Sequence, residues 1–230
     1  MIYAPIDGER RQPLVKGEHA TCPGCGAALN AVLPRENIRH WRHKGGDCDS
    51  WSEPEGEWHL AWKECFPLEC REIPLRDTNT GELHRADVLC PNPTTGRGVV
   101  LELQQSPISE AERISRELFY MREHRMFWLV NVHDPKTFRA FSFGISLSFD
   151  KPTTFGGRTF YQMEWMGSSK QFIEKWKDSS THVFFHFSGS IYYLATRIAC
   201  TVLHSKQQRG EFALARLTDR EFITAVQSPI

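Results

Sequence analysis

Asp87, Glu102 and Gln104 are the residues whose types and spacing suit metal chemistry in this chain. Asp87 follows alternating residues in LHRADV, and Glu102 and Gln104 stand two apart in GVVLELQ. Residues two apart on a strand point to one face. An Asp and a Glu brought together on adjacent strands repel each other. A divalent cation removes that penalty, and hard carboxylate oxygens suit Mg2+ or Mn2+, with Asp87 and Glu102 as the ligands. Phosphodiester hydrolysis needs such an ion to acidify the attacking water and to neutralise charge developing on the phosphate. A further group, conventionally a lysine, orients the water or stabilises the transition state. Gln104 stands at that position; it can place a water but carries no charge.

The segment EGEWHLAWKECF offers a substitute. His59 and Lys63 are four apart and share a helix face. Lys63 is a candidate for the missing charge, and Glu57 for a second metal ligand or a partner of metal-bound water. Taken singly, each residue has a plainer reading: Asp87 as a strand-end carboxylate, Glu102 as a surface residue, Lys63 as a solvated partner of Glu57 or His59. Together they are harder to dismiss. A charged residue inside a dry apolar strand is unburied, paired or bound to a metal.

A second constellation lies upstream. Cys22-Pro-Gly-Cys25 is followed by HWRHKGGDC, holding His40, His43 and Cys48. Zinc takes sulfur and imidazole ligands in a tetrahedron, and a tight knuckle plus a distant pair is the usual spacing. Cys22, Cys25, His43 and Cys48 are the favoured structural set, with His40 the rival ligand. A redox pair or free thiols are the alternatives, but CPGCGAAL lacks the preceding strand of a redox motif. The seven cysteines are odd in number and the chain reads as cytosolic, so a disulfide framework is not expected. Buried free thiols are the reading for Cys65, Cys70, Cys90 and Cys200.

Three zones position these residues. Residues 1–50 are rich in Gly, Cys, His and turn formers and too poor in apolar periodicity for a core of their own. In zone two, roughly 51–135, Trp58, Ala61, Trp62, Cys65 and Phe66 fall on a helical stripe. CREIPL and ELHRADVLC are strands joined by the turn DTNTGE, and GVVLELQ is a short apolar strand that turns polar at its end. ISEAERISRELFYMREH is an amphipathic helix with Ser106 or Ser109 as N-cap, and MFWLVNV is a continuous apolar strand suited to a sheet covered on both faces. From 136 on, FRAFSFGISLSF, RTFYQMEWM, THVFFHF and SIYYLATR read as strands, and SSKQFIEKWKD and TDREFITAVQ as short helices with Ser or Thr caps. Residues 135–230 are expected to complete the same 51–230 domain or pack on it.

Composition bounds the function classes. Hydrophobic residues make up 40% and charged residues 24% of the 230, as in globular proteins. No apolar run has the roughly 20 residues of a membrane span, and MIYAPIDGERRQ does not read as a secretory signal, so a cytoplasmic protein is expected. The 28 basic and 28 acidic residues balance, which excludes a globally basic nucleic-acid binder but leaves room for a local basic groove.

The order CPGC, HWRHK with Cys48, EWHLAWK, RADV, ELQQSPIS and MFWLVNV resembles the competence-protein CoiA family, a branch of the PD-(D/E)XK nuclease superfamily. The resemblance covers roughly residues 20–132, and ELQQS after ADV is its most specific element. It implies an α/β fold of restriction-endonuclease type, a mixed sheet flanked by helices, with a small zinc-binding module in front. It also implies metal-dependent handling of DNA, with Asp87, Glu102 and Gln104 as a D…ExQ core supported by Glu57, His59 and Lys63. The expected function is therefore a Mg2+- or Mn2+-dependent deoxyribonuclease. Arg113, Arg116 and Arg122 are candidates for substrate approach, and Trp51 and Trp58 for base stacking. A non-catalytic nucleic-acid-binding module and a zinc-dependent protein-interaction domain are the competing expectations.

Overall fold

Short strands punctuated by tight turns open the chain. Asp7 and Gly8 both take positive φ, 50° and 87°, the two-residue hairpin turn whose twist matches its strands. They join β1 (Ala4–Ile6) to β2 (Glu9–Arg11). The computed structural model describes residues 1–52, 55–132, 152–165 and 170–228. Its fold is mixed α/β, in two compact units, Met1–Gly96 and Arg97–Ile230.

In the first unit, β3 (His19–Thr21), β4 (Ala28–Val32) and β5 (His40–His43) form an antiparallel sheet. Its small core is Ala4, Cys22, Leu29 and Trp41. Helix α1 (Glu57–Glu64) and a 3-10 turn (Leu68–Cys70) lead into the antiparallel pair β6 (Arg71–Arg76) and β7 (Leu83–Leu89).

Two expectations fail here. The buried stripe of α1 is His59, Trp62 and Lys63, continued by Phe66, whereas Ala61 and Cys65 are exposed. The helix is turned so that a histidine and a lysine face inward. The second failure is the cysteine reading, because Cys70 and Cys90 form a disulfide with their Cα atoms 4.7 Å apart. The hairpin register explains it: Arg71 pairs with Val88, so the residues just outside the paired strands meet at the open end. Cys65 is exposed and Cys200 is buried, both as free thiols.

The second unit begins with β8 (Val99–Gln104), α2 (Glu110–Tyr120) and β9 (Arg125–Asn131), a parallel pair joined by a crossover helix. Ser109 caps α2 by accepting a hydrogen bond from the Glu112 N–H. Then follow β10 (Thr153–Phe155), β11 (Arg158–Glu164), α3 (Gln171–Lys177), β12 (His182–Phe187), β13 (Ser190–Leu194), α4 (Thr201–His204), β14 (Glu211–Leu217) and α5 (Asp219–Gln227). The strands of this unit lie in the order β10-β11-β14-β13-β12-β9-β8, parallel from β12 to β8 and antiparallel elsewhere. Thr218 and Glu221 close a capping box on α5. FRAFSFGISLSF lies outside the described residues.

Alternation along β9 divides the packing. Trp128 meets α3 through Trp176 at 5.5 Å, and its indole N–H donates to Glu117 of α2. Phe127 faces the other way, onto Phe184, which meets Phe222 of α5 at 4.9 Å. Both faces are covered, as the unbroken apolar sequence of β9 requires. Among the described residues no helix is long and apolar enough to cross a membrane.

Candidate metal centre and buried ion clusters

The turn between β3 and β4 is the CxxC knuckle. Gly26, at φ 75°, donates its N–H to the Cys22 carbonyl at 3.0 Å, and the Cys22 N–H donates to the Ala27 carbonyl at 2.9 Å. This tight turn brings the two thiols to one side. His43 arrives from the end of β5 and Cys48 from the loop beyond. The donor atoms of Cys22, Cys25, His43 and Cys48 all lie within 4.8 Å of one another.

Their spacing tests the fit to zinc. Bonds of about 2.3 Å to sulfur and about 2.0–2.1 Å to nitrogen, at tetrahedral angles, put sulfurs about 3.8 Å apart and sulfur and nitrogen about 3.5 Å apart. Cys22 Sγ and Cys48 Sγ are 3.8 Å apart, and Cys25 Sγ and His43 Nε2 are 3.5 Å apart. The set suits a tetrahedral zinc ion. The far ring nitrogen, His43 Nδ1, faces Asp47 at 3.6 Å, the carboxylate support that fixes a ligating imidazole. His40, the rival, instead turns Nδ1 to the Ile38 carbonyl at 3.0 Å.

The knuckle is docked as well as stapled. A methyl group on Gly24 would come within 3.2 Å of Leu83 and Pro74, so the hairpin β6–β7 lies directly against it. Arg76 donates to the Gly24 carbonyl at 3.1 Å. Asp49 accepts from the Arg85 N–H at 2.9 Å and pairs with His84 at 2.8 Å, while Trp51 stacks on the His84 ring. Trp51 is thus half-buried in packing, and Trp58 meets His59 edge-on.

Lys63 anchors the second cluster. Its Nζ lies 2.7 Å from Glu55, 2.9 Å from Asp87 and 3.4 Å from Glu72, with the side chain 1% exposed. Burial alone would lower its pKa, but Asp87, Glu55 and Glu72 hold it well above the ordinary lysine value. Burial drives Glu55 the other way, up to about 7, against the pull of Lys63 and with help from Glu72. Glu72 stays well below the ordinary range despite complete burial, because Lys63 and nearby positive charge favour its anion. Its carboxylate also accepts from the N–H groups of Ile2 and Tyr3 at 2.8–2.9 Å, tying the first strand to β6. It does so from a strained backbone with φ 49°.

Lys63 is therefore no solvated partner of Glu57 or His59, and Asp87 sits within β7 rather than at its end. Glu57 is exposed in the first turn of α1, and His59 is buried. Glu55 and Glu72 escaped the sequence reading, since nothing in their spacing marks them as partners of Lys63. Glu55 also borders a cavity of about 750 Å³ with Asp47, Ser52, His40, Arg42 and Lys44. Arg42 and Lys44 are exposed there.

In the second unit, Glu102 and Gln104 are both buried on β8, so Glu102 is no surface residue. Glu102 accepts from Arg116 at 3.1 Å, and Arg116 also binds Glu112 at 2.6 Å. Gln104 donates to the Ser106 carbonyl at 2.8 Å. Arg113 pairs with Glu117 at 2.7 Å, and Glu117 further accepts from Trp128, Ser179 and Ser180. Arg113 and Arg116 are thus buried internal ties of α2 and not solvated; Arg122 is exposed.

Among the described residues the Cys/His set is the preassembled metal-donor group, whereas the carboxylates of the first unit converge on an ammonium. Set against protein-family models, curated proteins and solved structures, the chain matches none of them.

Proposed function

We propose that the protein is a metal-dependent DNA nuclease of the CoiA-like, PD-(D/E)XK type, with a structural zinc module at its front. The observation that carries this reading is the contact of Lys63 with Asp87 at 2.9 Å. It supplies the buried positive charge that Gln104 does not. The order of α1, β6, β7, β8, α2 and β9, with β6 and β7 antiparallel and β8 and β9 parallel, supports the restriction-endonuclease-like reading.

Mg2+ or Mn2+ is the ion this chemistry requires, and Asp87 and Glu102 are the oxygen donors assigned to it. Such ions are held by one or two carboxylates plus the phosphates of the substrate, so a site of this kind need not be assembled in the free protein. When bound, the ion acidifies water and offsets charge on the phosphate. Lys63 pairs with Asp87 at 2.9 Å and so places a positive charge beside that carboxylate. Glu55, with its pKa near 7, is suited to accept a proton at neutral pH. Arg42 and Lys44, exposed beside the cavity that Glu55 borders, suit an approaching phosphate backbone.

The pairing of Glu102 with Arg116 favours a second reading, a nucleic-acid-binding module without turnover, because a neutralised carboxylate gains less from a cation. Cleavage separates the two. Linear, circular and single-stranded DNA are incubated with Mg2+ or Mn2+, comparing the wild type with Glu102→Ala. The nuclease reading expects cleavage to fall at least about 100-fold in the variant, the scale of losing a principal catalytic group. Cleavage that survives the substitution refutes the assignment of Glu102, and a wild type that binds DNA without cutting it favours the second reading.

A further inference from the structure

The sheet β3–β4–β5 buries one face and leaves the other open. Leu29 and Trp41 lie in its small core, and His43, opposite Leu29, turns the same way to join the metal donors. Alternation puts Arg42 on the other face. There the register sets Arg42 beside Asn30 and Asn30 beside His19. Arg42 and His19 are exposed, Asn30 is half-buried, and Lys44, exposed, follows directly after β5. The three strands contain no Asp or Glu. From His19 to Gly46 the chain carries Arg35, Arg39, Arg42 and Lys44 against one acid, Glu36, although its charges balance over the full length.

This positive charge is unanswered. Among the described residues the side chains of Arg42, Lys44 and Asn30 make no hydrogen bond or ion pair. The cavity of about 750 Å³ runs along β5 and is bordered by His40, Arg42 and Lys44. Its two carboxylates are matched already: Asp47 lies 3.8 Å from Arg85 and 3.6 Å from His43, and Glu55 lies 2.7 Å from Lys63. Arg42 and Lys44 stand two residues apart, about 6–7 Å where the chain is extended. That matches the interval between successive phosphates on a nucleic-acid strand. Cations without a counter-charge gain most from such a polyanion, because each phosphate they neutralise releases condensed counterions. The Asn30 carboxamide beside them is a neutral donor for a phosphate or sugar oxygen.

We infer that the open face of β3–β4–β5 is a docking platform for a phosphodiester backbone, which lies along β5 with successive phosphates on Arg42 and Lys44. The inference deepens the proposed function and rests on it for the identity of the polyanion as DNA. Contacts to phosphate position a strand and carry no sequence information, so docking here is independent of base sequence.

The test is the salt dependence of DNA binding by the full chain, followed by fluorescence anisotropy with no divalent cation added. The probe is a labelled oligonucleotide, used as a single strand and annealed to its complement. Between about 50 and 200 mM salt, log K falls linearly with log salt. Arg42→Gln and Lys44→Gln should each make that slope shallower, by about 0.9 on the duplex or about 0.7 on the single strand, and weaken binding about fivefold to tenfold near 0.1 M. The form of DNA on which the slope changes is the one that docks. Arg42→Lys should keep the wild-type slope, and so should Arg220→Gln, which removes an exposed arginine of α5. No binding of either form, an unchanged slope in both Gln variants at β5, or an equal change in Arg220→Gln overturns the inference. Mg2+-dependent cleavage beside an unchanged slope removes the platform and leaves the nuclease reading standing. Binding that depends on Arg42 and Lys44 in a protein that cuts no DNA does the reverse.

Discussion

Replacing Lys63 with Met tests the buried ion cluster, because Met keeps most of the stem and removes the charge. The ammonium is enclosed by Glu55, Asp87 and Glu72 at 2.7, 2.9 and 3.4 Å. Two unit charges 4 Å apart attract by about 4 kcal/mol at an effective dielectric of about 20, so three partners outweigh the burial of one ammonium. Removing one member of a buried ion set costs about 3–5 kcal/mol, since its partners stay buried without compensation. That is a large share of a typical stability of about 5–15 kcal/mol. The pH dependence has a definite sign. In the wild type the pKa of Lys63 is raised, so its contribution is complete below the ordinary lysine value and fades only as pH rises through the folded value. Glu72 is lowered, so its contribution is complete above the ordinary carboxylate value and fades as pH falls through the folded one. In Lys63→Met the carboxyls lose the cation that favours their anions, and their folded pKa values rise. A raised carboxyl destabilises fully only above its folded pKa, and protonation relieves it. Urea unfolding followed by circular dichroism should show a deficit of about 3–5 kcal/mol near pH 8 that shrinks to below about 2 kcal/mol near pH 5. Equal stability near pH 8, or a deficit that grows on acidification, would refute the reasoning.

Two further outcomes follow from the first unit. Elemental analysis should find about one zinc per chain in the wild type and in His40→Ala, falling below about a tenth of that in Cys22→Ser and His43→Ala. Unchanged zinc in Cys22→Ser would overturn the ligand set, and loss in His40→Ala would restore the rival ligand. Thiol titration of the denatured, unreduced and metal-free chain should count five thiols, those of Cys22, Cys25, Cys48, Cys65 and Cys200. Cys70→Ser/Cys90→Ser should then lower stability by about 3 kcal/mol, the loop-closure entropy of a 20-residue separation. Seven titratable thiols would exclude the disulfide.

What could be read beforehand divides by how local the determinant is. The CxxC turn is set by a few consecutive residues, closed by Gly26 at positive φ, and its partners His43 and Cys48 follow within a short span. β9 declares itself by an unbroken apolar run, because both its faces are covered. β14 stayed hidden: apart from Phe212, EFALARL is built from Glu, Ala, Leu and Arg, which favour helix, and pairing with β11 and β13 on either side makes it a strand. The Cys70–Cys90 bridge was hidden for a similar reason, since its two ends are brought together by a hairpin register and not by any motif.

The buried charges are the more instructive case. Reading a helix by apolar period assigns every Lys and Arg to solvent, and on α1 that put the inward face on Ala61 and Cys65. The inward positions are His59, Trp62, Lys63 and Phe66, spaced at three and four residues. Arg113, Arg116, Glu117 and Tyr120 repeat the same spacing on α2. In both helices the polar residues occupy the phase of the core and leave apolar Ala61 or Leu118 outside. A charge in the core phase must bring its counter-charge, and Glu55, Glu72 and Asp87 answer Lys63 as Glu102 and Glu112 answer Arg116. Such ion sets gain little stability over a well-packed apolar core. Two of them hold Asp87 and Glu102, the carboxylates proposed for catalysis, so cleavage lost in Glu102→Ala with the fold retained would assign the Arg116 set to chemistry, and unchanged cleavage would assign it to the fold.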